Sequence, residues 1–134
     1  YTVYGLGRDQ GLTSEPTKAM RAAAQGDDYH ISFGGKMQFH YASDVALQFI
    51  AAAEQPMQGA FGFNLGTVAI SVETVAQIVN EIVPDVSVTV GDSRLPFPEG
   101  FEATELNNAF ATVYETPLRE AIMATIDGFR AATS

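Results

Sequence analysis

The spacing of apolar residues changes within one short stretch, residues 71–90, and this change most restricts what the chain can fold into. Apolar residues first recur at the interval that places them on one side of an α-helix: Val72, Val75, Val79 and Ile82. Valines then alternate with polar residues over 86–90, which is typical of a half-buried strand. Ser71 can cap the helix, and Pro84 ends it. The stretch therefore predicts a helix followed by a strand, as in a mixed α/β domain.

Capping residues and apolar spacing predict three further helices, which gives about four in all besides one short helix. One begins after Thr13 or Ser14 and stops at Gly26. Another is capped by Ser43, and we expect its apolar side to be buried: Val45, Phe49, Ile50 and Ala53. The last helix begins at Thr116-Pro117, and a short one is expected at 103–110.

Strands are predicted at 1–4 and 60–64, besides the one at 86–90. Residues 29–33 and 36–41 flank Gly34-Gly35, and two such runs around a two-residue glycine turn predict a β-hairpin. Gly and Pro recur at short intervals without a linker or repeat, which indicates a single domain over residues 1–134. The predicted fold class is thus α/β, a small mixed domain of about four helices with a few short strands and a hairpin.

Charge and composition exclude several classes of function. Lys and Arg number 7 against 16 Asp and Glu, for a net charge of −9, so the chain would repel a nucleic-acid backbone. The absence of cysteine from the sequence excludes disulfide bonds, thiolate metal sites and a cysteine nucleophile, and it fits a cytoplasmic location. The sequence has neither an apolar run long enough to span a membrane nor a signal-peptide pattern at its start, so no membrane partner is expected.

Histidine and serine offer no clear chemistry. His30 and His40 are the only two histidines, and two His without a third ligand at suitable spacing do not make a zinc site. We interpret both as strand residues and expect no metal. Ser43 and Ser71 lie outside any Gly-x-Ser-x-Gly motif, so we interpret them as helix caps. A stand-alone enzyme of another kind would need Asp, Glu or His, and no pair of these has a spacing that gives a mechanism.

Four short motifs occur in an order that resembles a known family. They are Tyr-Gly-Leu-Gly-Arg-Asp at 4–9, Ser-Asp-Val-Ala at 43–46, Gly-Phe-Asn-Leu-Gly at 62–66 and Thr-Pro-Leu-Arg-Glu at 116–120. On these motifs, nearly the whole chain resembles the carboxyl-terminal, substrate-binding part of an extended short-chain dehydrogenase/reductase, in the NAD-dependent epimerase/dehydratase family. The resemblance implies a partial Rossmann-type sheet plus a substrate domain.

The residues that carry catalysis in that family are missing from this sequence. The family uses a Tyr with a Lys four residues later, and none of the 5 tyrosines here has one. Tyr4 is followed at that spacing by Arg8, which cannot exchange protons near neutral pH. Residues 5–7 form only the first half of a dinucleotide-binding Gly-x-Gly-x-x-Gly motif, because Gln10 stands at its last position. We therefore predict no catalytic and no cofactor-binding residue in this chain, although the full-length family uses NAD or NADP.

The resemblance implies a set of substrate-binding residues. One falls two positions before Tyr4, others in the loop after that Tyr, and the rest in the motif before Asp44. They are Thr2, Arg8, Gln10, Leu12, Thr13, Gln38 and His40. Members that use nucleotide-linked sugars have an Arg for the diphosphate where this chain has Met37, and methionine cannot pair with phosphate. Lys36 or Arg94 would have to replace that arginine.

The sequence thus predicts the substrate-binding portion of an NAD-dependent sugar epimerase- or dehydratase-like protein, inactive alone, with a sugar-type small molecule as its ligand. The strands at 1–4 and 60–64 would be parallel members of a larger sheet, and their unpaired edges predict a homo-oligomer. The alternative is a non-enzymatic binding or oligomerisation module that retains the fold. The sequence leaves open the identity of the substrate, and whether the chain is a natural full product or a truncation.

Overall fold

A computed structural model describes residues 2–133 of the chain. Within this range the elements occur in the following order: β1 (Thr2–Tyr4), α1 (Glu15–Gln25), β2 (Tyr29–Gly34), β3 (Lys36–Tyr41), α2 (Ala42–Glu54), β4 (Ala69–Ser71), α3 (Val72–Ile82), β5 (Val88–Arg94), α4 (Thr104–Ala109) and α5 (Leu118–Thr133). The small mixed α/β class predicted from the sequence is confirmed.

The strands form two small sheets. In the first, of order β1-β3-β4, β3 is parallel to β1 and antiparallel to β4. In the second, β2 and β5 are parallel, and the register pairs Tyr29 with Val88 and Gly34 with Arg94. Each parallel pair is joined by a connection that contains a helix, because parallel strands cannot be joined by a tight turn.

The predicted hairpin is wrong. β2 and β3 follow each other across Gly35 but belong to different sheets, and their partners are β5 and β1 respectively. Gly35 has a φ of +97°, which glycine adopts more readily than other residues, and the chain passes there from one sheet into the other. A glycine turn between two strand-like segments therefore does not by itself fix how they pair.

The predicted strand at 60–64 is also wrong. The segment has no regular secondary structure, and the next strand, β4, begins only at Ala69. Its aromatic residues pack instead: the Phe61 and Phe63 rings stack with centroids 6.3 Å apart, and Phe63 meets Phe110 edge-on at 5.5 Å. The parallel neighbour of β1 is β3, and the first residue of the predicted strand 1–4 lies outside the described residues.

The main core lies where α1, α3 and α5 pack together over the sheet of β2 and β5. Each of these elements buries apolar side chains, such as Met20 of α1, Ile31 of β2, Val75 of α3 and Ile126 of α5. The apolar stripe predicted for α3 is confirmed: Val72, Val75 and Val79 are buried, and Ile82 is partly buried.

The ends of these helices lie where they were predicted, but the Ser14 side chain does not cap α1: its hydroxyl donates to the carbonyl oxygen of Gly11 at 2.7 Å. α1 follows Ser14 and ends at Gly26, whose φ of +82° is the left-handed conformation of a glycine cap. The hydroxyl of Ser71 accepts a hydrogen bond of 3.1 Å from the backbone N–H of Thr74 and so caps α3. α5 starts directly after Thr116-Pro117.

α2 differs from its prediction in both its start and its buried side. It begins at Ala42 rather than after Ser43. Its buried residue is Gln48, whereas Phe49 is 72% exposed and Ile50 is also exposed. Leu47 is exposed as well, so this part of the apolar side of α2 has no cover within residues 2–133. Neither α2 nor any other helix in this range has the length and apolarity needed to cross a membrane.

Candidate functional site

A cavity of about 330 Å³ lies at the carboxyl ends of β1 and β3. Tyr4 ends β1, and His40 and Tyr41 end β3; the register of the parallel pair brings Tyr4 beside Tyr41. The remaining walls come from the first turns of α2, from residues 65–68 and from residues 113–118. Ile70 and Leu106 complete the lining, so segments that are distant in sequence meet around one cavity.

Hydrogen bonds between α2 and the 113–118 segment hold two of these walls together. The carboxylate of Asp44 accepts from the backbone N–H of Thr116 at 2.6 Å and from its hydroxyl at 2.8 Å. The Gln48 amide oxygen accepts from the backbone N–H of Tyr114 at 3.3 Å. The Thr67 hydroxyl, in the third wall, donates to the carboxylate of Glu115. The shape of the cavity thus depends on side chains that bind the backbone of other segments.

Two buried nitrogen atoms belonging to the cavity walls have no hydrogen-bond partner among the described residues: Nε2 of His40 and Nε2 of Gln48. An unpaired buried polar atom costs about 1–3 kcal/mol, so such groups in native proteins are normally satisfied by a partner, water or ligand. Burial lowers the pKa of His40 to about 4, so its imidazole is neutral near pH 7. The wall therefore contains an uncharged imidazole and a spare amide donor.

The tyrosine at the end of β1 keeps its proton. Burial, and to a lesser extent the nearby carboxylate of Asp44, raises the pKa of the Tyr4 hydroxyl. Its ring lies 6.2 Å from Phe39 and 5.8 Å from Tyr41, measured between centroids. Aromatic packing thus fixes the position of this residue.

Of the seven predicted substrate-binding residues, His40 is the one that lines the cavity. Thr2 is 0% exposed and donates its hydroxyl hydrogen to the sulfur of Met37 at 3.1 Å. Gln38 is 6% exposed: its amide nitrogen donates to the carbonyl oxygens of Thr67 at 2.7 Å and Phe101 at 2.9 Å, and its oxygen accepts from the Phe101 N–H at 3.0 Å. In this structure Gln38 joins two loops to β3.

The other four predicted residues lie together in the loop between β1 and α1. The guanidinium of Arg8 donates to the carbonyl oxygen of Gln10 and, at 3.3 Å, to the hydroxyl of Thr13. Thr13 is buried, whereas Gln10 and Leu12 are exposed. Arg8 thus organises its own loop, which leaves two side chains in contact with solvent.

The two candidate phosphate-binding cations also come together. Lys36 and Arg94 both line a smaller hollow of about 150 Å³, with Phe97 beside them. Met37, at the position of the family's arginine, also lines this hollow and is almost fully buried. None of the residues that line the hollow also lines the larger cavity.

Sequence reasoning missed Gln48, Tyr114 and Glu115 as cavity residues. No local pattern marks them, because their contacts cross long stretches of sequence. Asp44 lies in the first turn of α2, where the helix dipole favours an acidic residue, and its two bonds to Thr116 give it a further role. His30 bonds Thr89 through Nδ1 at 2.8 Å, and the described residues contain no group of three potential metal ligands.

No protein-family model and no curated protein sequence matches this chain. Solved structures do. A partial-consensus L-threonine 3-dehydrogenase matches with a TM-score of 0.81 at 15% identity, over 96% of this chain and 46% of that one. MoeE5 in complex with UDP-glucose and NAD matches with a TM-score of 0.79 at 24% identity, over 99% of this chain and 46% of that one. UDP-glucose 4-epimerase from Thermotoga maritima, with UDP-glucose, matches with a TM-score of 0.77 at 20% identity, over 99% of this chain and 45% of that one.

These matches test the resemblance inferred from the four motifs. At this level of identity they establish the fold. The chain spans a little under half of the length of each of these solved chains. It therefore has the fold of part of an NAD-dependent epimerase- or dehydrogenase-type protein, a partial Rossmann-like α/β unit, as the motifs predicted.

Proposed function

We propose that the chain is the substrate-binding portion of an epimerase- or dehydratase-like protein, and that the cavity at the ends of β1 and β3 holds a sugar-type ligand. The position of the cavity carries the proposal. In open α/β sheets, ligands bind in the crevice outside the carboxyl ends of the strands. The volume of about 330 Å³ also lies within the usual range for small-molecule sites.

The chemistry of the walls supports a hydroxyl-rich ligand. The amide of Gln48 offers a donor, the imidazole of His40 is neutral, and the carboxylates of Asp44 and Glu115 offer acceptors. Hydroxyl groups both donate and accept, so they can satisfy all of these groups at once. The Tyr4 side chain adds an aromatic surface against which the carbon skeleton of a sugar can pack.

The seven predicted substrate-binding residues then divide by role. His40 contacts the ligand in the cavity. The loop after Tyr4 carries the exposed Gln10 and Leu12, which contact any part of the ligand that extends beyond the cavity. The other four do not contact the ligand but hold neighbouring segments in place through their hydrogen bonds: Thr2, Arg8, Thr13 and Gln38.

Cofactor binding and catalysis are expected to need residues that this sequence lacks. The Gly-rich fingerprint stops at Gln10, and Tyr4 has Arg8 where the family has its lysine. We therefore propose that the chain alone binds neither NAD nor NADP and has no activity, and that the full-length protein supplies both.

Calorimetric titration of the purified chain with glucose and, separately, with NAD tests the proposal. Glucose should bind and NAD should not. Replacing Gln48 by Leu removes the spare donor and should weaken glucose binding about tenfold, the effect of one lost hydrogen bond. His40→Phe should weaken it as well, whereas the matched control His30→Phe, on β2 and outside the cavity, should not. Micromolar NAD binding, or an affinity for glucose that is unchanged in both cavity variants, would contradict the proposal.

A second candidate function is a non-enzymatic oligomerisation module. The apolar side of α2 supports it: Leu47, Phe49 and Ile50 are all exposed. The sequence had suggested assembly through strand edges, and this helix offers an apolar surface in addition. Light scattering at tens of micromolar tests it. Phe49→Ser should then dissociate the oligomer, while Met123→Ser, an equally simple change at an exposed site on α5, should not; a monomeric parent chain would rule this function out.

A further inference from the structure

The charged side chains that line the larger cavity are both acidic. Asp44 lies in the first turn of α2, and Glu115 lies in the 113–118 segment. Among the described residues, those lining the cavity include no Lys and no Arg. The neutral imidazole of His40 adds no positive charge near pH 7. An anionic group that enters the cavity would therefore meet two carboxylates and, among the described lining residues, no Lys or Arg.

Both carboxylates retain capacity for a ligand. Each oxygen of Asp44 accepts one hydrogen bond from Thr116, and an ionised carboxylate oxygen has two acceptor directions. Glu115 accepts from Thr67 through one oxygen and is exposed at the rim. The two acids are thus held in place by the protein while they can still pair with a donor or a positive charge.

Gln48 provides an independent indication that the acids belong to a binding site. Its side chain is 5% exposed, its oxygen is held by Tyr114, and its Nε2 has no partner within residues 2–133. A solvated acidic surface does not require a buried amide donor beside it. A donor next to acceptors matches a ligand that carries both an oxygen acceptor and hydrogen donors.

Two of the seven Lys and Arg residues line a different hollow. Lys36 and Arg94 line the separate hollow beside β3, which shares no lining residue with the cavity. Lys36 and His40 are four positions apart on β3, which corresponds to about 13 Å along an extended strand. A ligand of hexose size in the cavity would therefore not bring a phosphate or carboxylate group to these cations.

We propose that the cavity selects hydroxyl-bearing small molecules that carry a positive charge, such as amino sugars, over neutral ones, and disfavours hexose-sized ligands that carry phosphate or carboxylate. The inference rests on the proposed function, because it specifies the ligand class of the same cavity. An ammonium group pairs with Asp44 or Glu115, while ligand hydroxyls pair with the amide of Gln48. The net charge of −9 favours the same order by attracting cations at longer range.

Four ligands of nearly equal size and different charge test the inference: glucosamine, glucose, glucuronate and glucose 6-phosphate. Dissociation constants are measured by calorimetry at low ionic strength near neutral pH, and again with added salt. Glucosamine should bind about tenfold more tightly than glucose, and the two anions should bind more weakly still. Salt should reduce the differences, because partly exposed charges are screened.

A charge-removing variant identifies the acid responsible. Glu115→Gln keeps the size of the side chain and should reduce the preference for glucosamine several-fold. The control Glu120→Gln removes the same charge from an exposed position of α5 that does not line the cavity, and it should leave the preference unchanged.

The outcomes separate the two proposals. If the anions bind as tightly as glucosamine, or if Glu115→Gln leaves the preference for glucosamine over glucose as large as before, the charge selection is overturned while ligand binding in the cavity stands. If no member of the series binds, the proposed function falls and the inference falls with it.

Discussion

Replacement of Gln38 by Leu should destabilise the fold, because this side chain joins two loops to β3. It makes three hydrogen bonds, to the backbone of Thr67 and to both backbone polar groups of Phe101. At about 1 kcal/mol net for each bond, the loss is about 3 kcal/mol. The exposed position of Phe101 lets water replace part of what is lost, so we expect about 2–3 kcal/mol. This is a large share of the 5–15 kcal/mol that is typical of the total stability of a domain.

Urea denaturation followed by circular dichroism measures the effect as a lower midpoint with an unchanged slope. Gln55→Leu is the matched control, since Gln55 is exposed and makes one long bond of 3.4 Å to the carbonyl of Ala109. That variant should change the free energy of unfolding by less than about 0.5 kcal/mol.

The result also decides between two roles for Gln38, which the sequence motif assigned to substrate binding. A loss of stability below about 1 kcal/mol would refute the reasoning from the three bonds. If the same variant then lost affinity for glucose, Gln38 would act as a ligand contact rather than as a link between loops.

Three further predictions concern the core, a helix end and pH. Ile126→Ala removes a fully buried side chain and should cost about 2–5 kcal/mol in urea denaturation, whereas Met123→Ala, exposed on the same helix, should cost little. Gly26→Ala forces a Cβ onto a residue with a φ of +82° and should lower stability by about 1 kcal/mol, seen as a lower melting temperature. Burial lowers the pKa of His40 from 6.5 to about 4. Between these two pH values the unfolded chain therefore binds a proton that the folded chain does not. The free energy of unfolding should therefore decrease as the pH drops through this window, and the decrease should be smaller for His40→Phe. An equal pH dependence of stability in both proteins would contradict the lowered pKa of His40.

The elements that the sequence predicted well are those with local signals. α1 ends at Gly26 and α3 begins after Ser71, because a cap contacts residues within one helical turn. The buried stripe of α3 follows from its 3.6-residue period. Such features need no knowledge of the rest of the chain.

The prediction of strand pairing was wrong because pairing is decided by residues that are distant in sequence. The segments around Gly34-Gly35 have strand composition, and the structure places strands there. The hydrogen-bond partners of Tyr29 and Phe39, however, are in β5 and β1, and no property of the glycine turn specifies them. At 60–64, apolar residues suggested a strand, whereas the rings of Phe61 and Phe63 pack on each other without a backbone partner.

The candidate site was the least predictable part, and the contacts of Asp44 explain why. Its sequence context accounts fully for a first-turn acid, yet its carboxylate also holds Thr116, seventy-two positions away. Gln48 and Tyr114 are joined over a similar separation. The walls of the cavity are thus assembled by long-range bonds that can form only once both segments are in place.

This dependence couples ligand binding to the docking of the 113–118 segment. If Asp44 and Gln48 release Thr116 and Tyr114, the same step removes the wall that carries Glu115. A ligand held between these walls binds the docked arrangement and not the open one, so it stabilises the docked state in proportion to the logarithm of its concentration over its dissociation constant. Hydrogen exchange at the N–H groups of Tyr114 and Thr116 should therefore slow with added ligand before exchange in the core of α3 does, because the core is protected without the ligand.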